Sequence, residues 1–151
     1  MAGLVTIARS TVFEGEAWGT AALVTFDDGT ALVQANIDVI KAFVQEGDGT
    51  SRTARTLYEK LNIEATDLLA LPGSPEVISD LLRNDGYWSG EQPGYNFLHY
   101  LFQGSDFDAA VPPFKPKGGR TYLLTYEVMV NVAGPKYLQH VITVLDRPGR
   151  T

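Results

Sequence analysis

The chain has 151 residues, contains no cysteine and carries a formal net charge of −6 at pH 7. A hydrophobic content of 44% with 20% charged residues is typical of a folded globular domain and excludes a disordered chain. The missing cysteines exclude disulfides, thiolate metal sites and a cysteine nucleophile. The acidic balance argues against nucleic acid as a partner, because phosphate binding needs a basic surface.

The length and the first residues predict one soluble domain. Residues 1–13 lack the basic segment and long apolar run of a secretory signal peptide. No stretch reaches the roughly 18 consecutive apolar residues that a membrane span needs. We therefore expect a single β-sandwich domain over residues 1–151, made in the cytoplasm and without a membrane partner.

Two alternating segments and a tight turn begin the chain. Residues 4–14 and 18–26 alternate apolar and polar side chains, which predicts strands. The pair Asp28-Gly29 then predicts a hairpin into residues 30–46, since glycine accepts the positive φ of a tight turn. The second half of that last segment also fits a helix, but its valine and isoleucine content favours a strand.

The middle of the chain predicts one or two short helices. Residues 52–61 fit a helix, with a strand that carries Leu57 and Tyr58 as the alternative. Ser74 and Pro75 precede the sequence EVISDLL, and serine at an N-cap followed by proline at the first helical position is typical of a helix start.

The last third predicts the clearest strands. Residues 95–102 are dense in aromatic side chains, and residues 121–132 and 137–145 flank a turn. A long proline-rich loop, residues 103–119, separates the first of these strands from the second. Roughly six to eight short strands, with turn signals every ~8–15 residues, predict a mainly β fold of the sandwich or barrel class.

The titratable residues form no catalytic set in the sequence. His99 and His140 each lie inside a predicted strand, and we expect both to be packed or half-exposed, because a metal site needs three or four ligands. Neither a nucleophile elbow nor a glycine-rich phosphate loop is present. The sequence therefore predicts no enzymatic activity, no cofactor and no metal.

Six aromatic residues fall within residues 87–102. We expect Trp88, Phe97 and Phe102 to belong to the core. Tyr87 and Tyr100 are the candidates for an exposed, partner-binding position, because a tyrosine offers a large contact area with a polar tip.

The segment GRTYLLTYEVMV, residues 119–130, resembles the penultimate strand of immunoglobulin-like domains, in which Tyr122 would be the corner residue with its hydroxyl bound to upstream backbone. Together with residues 84–102 and the closing hairpin, it resembles immunoglobulin-like domains of bacteriophage tail and baseplate proteins. The resemblance implies an antiparallel Ig-like β-sandwich that serves, without enzymatic activity, as a virion component (tail, baseplate or decoration). Its partners would be other virion or assembly proteins and further copies of itself.

Charge and composition locate the expected contact element in the loop 103–119. Residues 1–50 carry two basic and seven acidic side chains, whereas residues 101–151 carry six basic and four acidic ones. In the loop, prolines restrict the backbone, aromatic residues offer anchors and basic residues supply charge. The predicted partner-binding residues are Phe107, Phe114, Lys115, Lys117, Arg120, Tyr87 and Tyr100.

The alternative function is a carbohydrate- or surface-binding β-sandwich module. It would use Tyr87, Tyr95 and Tyr100 as stacking platforms, together with aspartates of the loops.

Overall fold

The fold is mainly β. The structure, a computed structural model, describes residues 5–47, 55–69, 76–83, 94–101 and 116–146. Within these ranges there is no α-helix, and hence no helix long and apolar enough to cross a membrane.

Eight strands make up most of the described residues. A short 3₁₀ turn, Gln34–Asn36, precedes the third strand. The strands are β1 (Val5–Phe13), β2 (Trp18–Ala22), β3 (Ile37–Glu46), β4 (Thr56–Ile63), β5 (Ile78–Arg83), β6 (Tyr95–Leu101), β7 (Arg120–Val130) and β8 (Gly134–Leu145).

The strands form two sheets that pack against each other as a sandwich. One sheet has five strands in the order β1-β8-β7-β3-β4, and the other has three in the order β2-β6-β5. Side chains of both sheets meet in one buried cluster, for example Phe97 of β6 and Tyr126 of β7, whose ring centroids lie 5.0 Å apart. The prediction of a mainly β sandwich is confirmed.

One strand pair departs from the antiparallel arrangement that the sequence predicts. β1 runs parallel to β8, in register from Val5↔Tyr137 to Phe13↔Leu145. Directly after β1 the backbone N–H of Glu14 still donates to the carbonyl of Leu145 at 2.9 Å, and the chain then turns into β2 of the other sheet. The next strand, β2, lies in the other sheet, so β1 forms no hairpin with it. β1 lies at an edge of the five-stranded sheet.

The Asp28-Gly29 turn forms and closes a short antiparallel pairing of Thr25 with Ala31, but β2 and β3 do not pair with each other as a hairpin. Gly29 has φ +90°, and the Phe26 N–H donates to the Thr30 carbonyl at 2.8 Å. The Asp28 carboxylate accepts from the Thr30 N–H at 2.9 Å, and hydrogen bonds from the backbone and the side chain of Thr30 lower the Asp28 pKa. β2 nevertheless belongs to the three-stranded sheet and β3 to the five-stranded one, so the turn lies in a crossover between layers.

The short helices predicted in the middle segment are wrong where the structure describes it. Residues 56–63 form β4, which pairs with β3 and buries Tyr58 and Ile63. Residues 78–83 form β5, which pairs with β6. A helix this short gains little stability from the intrinsic propensity of its residues. Pairing with a neighbouring strand therefore decides the conformation of these two segments. The strand alternative for residues 52–61 is confirmed over the part that the structure describes.

Candidate interaction surfaces

The segment that leads into β7 contains two of the predicted contact residues, Lys117 and Arg120, and it is tied to the sandwich. The Lys117 N–H donates to the Tyr122 hydroxyl at 3.0 Å, which confirms the expected bond from this tyrosine to upstream backbone. The Gly118 N–H donates to a carboxylate oxygen of Glu14 at 3.0 Å, and the Gly119 N–H to the carbonyl of Val144 at 2.7 Å. Residues 117–119 are therefore held by three different elements.

Tyr122→Phe is expected to lower the free energy of unfolding by about 1–2 kcal/mol, because the partly buried Lys117 N–H loses its acceptor. The ring contact with Trp18, at a centroid distance of 5.6 Å, is retained. Urea unfolding measures the loss, with Tyr137→Phe on β8 as the control, for which we expect a smaller effect. Equal losses in the two variants would contradict a special role of the Tyr122 hydroxyl.

The two basic residues of this segment differ in what they offer a partner. The Arg120 Nη1 lies 2.7 Å from Oε1 of Glu46, and both side chains are about half exposed. The hydrogen bond and the charge of Glu46 raise the Arg120 pKa. Arg120 is thus already engaged on its own surface, whereas the Lys117 side chain is exposed beside it.

Gly118 lies against the end of β8. A Cβ atom there would come within 2.2 Å of an Asp146 carboxylate oxygen and 2.8 Å of the Asp146 nitrogen. The next residue, Gly119, has φ +82° and open space around its Cβ position. Glycine is thus required at position 118 because a side chain would clash with Asp146, and at position 119 because the backbone has a positive φ.

Gly118→Ala is expected to destabilise the fold by about 1–3 kcal/mol, because the backbone at Asp146 must shift to admit the methyl group. Gly119→Asn is the matched control, since asparagine tolerates a positive φ and has room here. Thermal and urea unfolding of both variants measure the difference. A loss no greater in Gly118→Ala than in Gly119→Asn would contradict the steric argument.

Of the remaining predicted contact residues, Tyr100 lies within the described ranges and the others lie outside them. Tyr100 is half-buried on β6 and packs against the core cluster, so it offers less surface than expected. Phe97, predicted as core, is fully buried. The residues that lie outside the described ranges are Tyr87, Phe107, Phe114 and Lys115, together with the predicted core residues Trp88 and Phe102.

The outer face of the five-stranded sheet is a surface that the sequence pattern did not predict. Residues that alternate with the buried positions of β3, β7 and β8 point away from the sandwich core. We call these residues the outer face; they are Val39, Lys41, Phe43 and Gln45 of β3, Thr121, Leu123, Thr125, Glu127 and Met129 of β7, and Tyr137, Gln139, Val141 and Thr143 of β8.

The outer face mixes apolar and polar residues, and its net charge is zero. Lys41 and Glu127 are its only charged residues, and they are cross-strand partners. Burial, and then the neighbouring charge of Glu127, raise the pKa of Tyr137. Leu123 and Val141 are each only 5% exposed although they point away from the core. A sheet face that stays in water usually carries more charge than this.

Two exposed charged residues flank the outer face on the edge strands. Arg9 of β1 is the register partner of Val141, and Glu59 of β4 is the register partner of Phe43. Partners in a ladder point to the same side of a sheet, so both side chains belong to this side. The sheet therefore has a positive edge and a negative edge.

A second apolar surface lies on β5 and on the connection that leads to it. Leu81 and Leu82 are 80% and 56% exposed, and Leu68 is 65% exposed. The register of β5 with β6 shifts between Ile78 and Arg83, so these two leucines lie in an irregular part of an edge strand. Such irregularity hinders edge-to-edge pairing.

Both histidines are packed strand residues, as predicted. His99 and His140 are each 5% exposed, on different sheets. Nδ1 of His99 lies 2.6 Å from the Tyr126 hydroxyl. Within the described ranges no group of three or more histidine, aspartate or glutamate residues could hold a metal ion.

His140 connects the two sheets. Its Nε2 lies 2.7 Å from the Ser10 hydroxyl of β1, and its Nδ1 lies 2.9 Å from the Thr20 hydroxyl of β2. Burial lowers the His140 pKa to about 4. The ring is therefore neutral near pH 7, and each of its nitrogens lies within hydrogen-bond distance of a hydroxyl group.

Asn96 is a buried polar residue of the aromatic strand β6, and the sequence pattern did not predict its role. Its amide oxygen accepts from the Val24 N–H at 2.7 Å. Its amide nitrogen donates to the carbonyls of Val24 and Leu32, both at 2.9 Å. A short polar residue between two aromatics was the only signal available, since the partners lie more than sixty residues away in the chain.

The comparisons with known proteins add no relative to this picture. No family model matches the chain, and no curated protein is similar enough to be matched.

Proposed function

We propose that this chain is a non-enzymatic structural protein, an immunoglobulin-like module of a bacteriophage virion that works through protein–protein contacts in several copies. The observation that carries the proposal is the outer face, a sheet surface without net charge on a strongly acidic chain. The centres of protein interaction sites are depleted of charged residues relative to the rest of the surface.

The strand order supports the immunoglobulin-like part of the proposal. In such domains the third strand lies beside the sixth and seventh in one sheet, and the second, fifth and fourth lie in the other, with an added strand next to the third in variable-type domains. The order β8-β7-β3-β4 and the order β2-β6-β5 follow the same scheme. β1 departs from it, because it pairs with β8 rather than with β2.

Tyr122 supports the same proposal. Immunoglobulin-like domains carry a tyrosine near the start of the penultimate strand, with its hydroxyl bound to backbone a few residues upstream. Tyr122 stands third in β7, the penultimate strand, and accepts from the Lys117 N–H five residues upstream. This interaction holds the backbone of Lys117 against the start of β7.

The carbohydrate-binding alternative is less well supported. Of the three tyrosines it needs, Tyr95 is only 2% exposed and cannot stack on a sugar ring. Tyr100 is half-buried, and Tyr87 lies outside the described ranges.

The proposal is tested on virions of the phage whose genome encodes this chain. Particles purified through a density gradient are probed with an antibody raised against the chain, by immunoblot and by immunogold electron microscopy. We expect a fixed number of copies per particle at one location. Presence of the chain in infected cells together with its absence from purified particles would contradict the proposal.

A further inference from the structure

We propose that the outer face binds the outer face of a second copy, so that the chain forms a symmetric homodimer. The two-fold axis runs parallel to the strands, and β1 of each copy lies over β4 of the other. This inference rests on the proposed function, because it names the first partner that an assembly protein of this kind would meet.

Charge favours this face over the rest of the surface. Two copies, each with a net charge of −6, repel one another, and a stable contact must lie where that repulsion is smallest. Lys41 and Glu127 cancel on the outer face, whereas the β2–β3 turn presents Asp28 next to Asp27, whose carboxylate pairs with Lys136. Because the outer face has no net charge, a strongly charged partner would gain little from binding it.

The two edges of the face are complementary under the proposed symmetry. A two-fold axis along the strands exchanges left and right, so the positive edge at Arg9 meets the negative edge at Glu59 of the other copy. The ladder register places Arg9 in the row of Val141 and Leu123, and Glu59 in the neighbouring row of Phe43. Long side chains reach across one row of a sheet, so each dimer would contain two such pairs.

The size of the sheet fits a stable dimer. Neighbouring strands lie about 4.8 Å apart and rise about 3.3 Å per residue, so five strands of about nine residues cover roughly 700 Å². A standard protein interface buries about 800 Å² on each partner. Sheets that pack face to face interdigitate their side chains, and the partly exposed Val39, Phe43 and Met129 would supply the apolar contacts.

Sedimentation equilibrium of the purified chain, over a range of concentrations, tests the inference. We expect a monomer–dimer equilibrium in the micromolar range. Arg9→Glu and Glu59→Arg should each weaken association about 10-fold or more, because like charges then face each other across the dimer. The double variant carrying both changes should restore association to near the wild-type level.

Two further variants distinguish the loss of the dimer contact from a loss of folding. Phe43→Asp, on the outer face, should abolish the dimer, whereas Leu81→Asp on the other sheet should leave it unchanged. Circular dichroism and thermal unfolding establish that each variant is folded, and Arg9 and Glu59 are exposed, so their replacement leaves the core intact.

A wild-type chain that stays monomeric at all concentrations would overturn the inference, as would a dimer that persists in Phe43→Asp. Single variants that weaken the dimer without restoration in the double variant would overturn the proposed orientation. A monomeric chain that is still incorporated into virions would leave the proposed function standing and remove only the self-association.

Discussion

Asn96→Ala is expected to lower the free energy of unfolding by about 3–5 kcal/mol. The wild-type side chain hydrogen-bonds both backbone groups of Val24 and the carbonyl of Leu32, as a neighbouring strand would. Alanine leaves one N–H donor of Val24 without its partner, and it removes a donor from two carbonyls in a site where Asn96 is only 1% exposed. Urea unfolding followed by tryptophan fluorescence and circular dichroism measures the loss.

Two further variants separate hydrogen bonding from shape at this site. Asn96→Asp keeps the shape but sets a carboxylate against two carbonyl oxygens, and it should cost at least as much as the alanine variant near pH 7. Asn62→Ala, at an exposed position of β4, should change stability by about 0.5 kcal/mol or less. A loss below about 1 kcal/mol in Asn96→Ala would show that the backbone groups find other partners.

The second large effect is a loss of stability in acid that depends on His140. Its pKa is lowered from 6.5 to about 4 in the folded chain, so the unfolded chain binds a proton more readily between these values. Stability that is present above about pH 6.5 is therefore lost as the pH falls towards about 4. The lowered pKa corresponds to about 3 kcal/mol.

His140→Gln tests this contribution. Glutamine keeps a hydrogen-bonding side chain between Ser10 and Thr20 but cannot take up a proton in this range. We expect the variant to be less stable than the wild type near pH 7 and to lose less stability on acidification. Unfolding free energies of both proteins, measured at several pH values between about 7 and 4, give the difference.

The comparison with the variant removes the contributions of all other titrating groups, because the carboxylates are present in both proteins. The register neighbours of His140, Ala8 and Leu124, carry no charge, so burial is the cause of the lowered pKa. Parallel pH profiles for wild type and variant would contradict this assignment.

The buried polar residues Asn96 and His140 both connect parts of the two sheets. Asn96 fixes the connection between β2 and β3 to the smaller sheet, and His140 links β8 and β1 to β2. Both therefore hold the two sheets in a defined relation. The larger sheet then presents a fixed outer face, which is the property that an assembly surface needs.

The sequence by itself determined that the longer segments of the last third are strands. In β7, the shared parity of the apolar residues Tyr122, Leu124 and Tyr126 indicated a buried face, because a period of two is typical of a strand. The closing hairpin into β8 was readable from Gly134, whose positive φ the turn requires. The absence of cysteine left the core as the means of stabilising the sandwich, and Phe97 and Tyr126 do meet there.

Only the tertiary structure decided which strands pair, what the middle segment becomes and where the contact surface lies. The Asp28-Gly29 turn has the same local chemistry whether its flanking strands share a sheet or change layer, so local signals could not exclude the hairpin. β4 is a strand because β3 offers it a ladder, which residues 52–61 alone do not reveal.

The outer face joins residues that are distant in the chain. Phe43, Thr125 and Gln139 share one row only because β3, β7 and β8 are neighbours in the sheet. Their individual residue types are ordinary for strands, and the surface without net charge arises from the register that brings them together. The same holds for Arg9 and Glu59, which become opposite edges of one surface only when the five strands are in order.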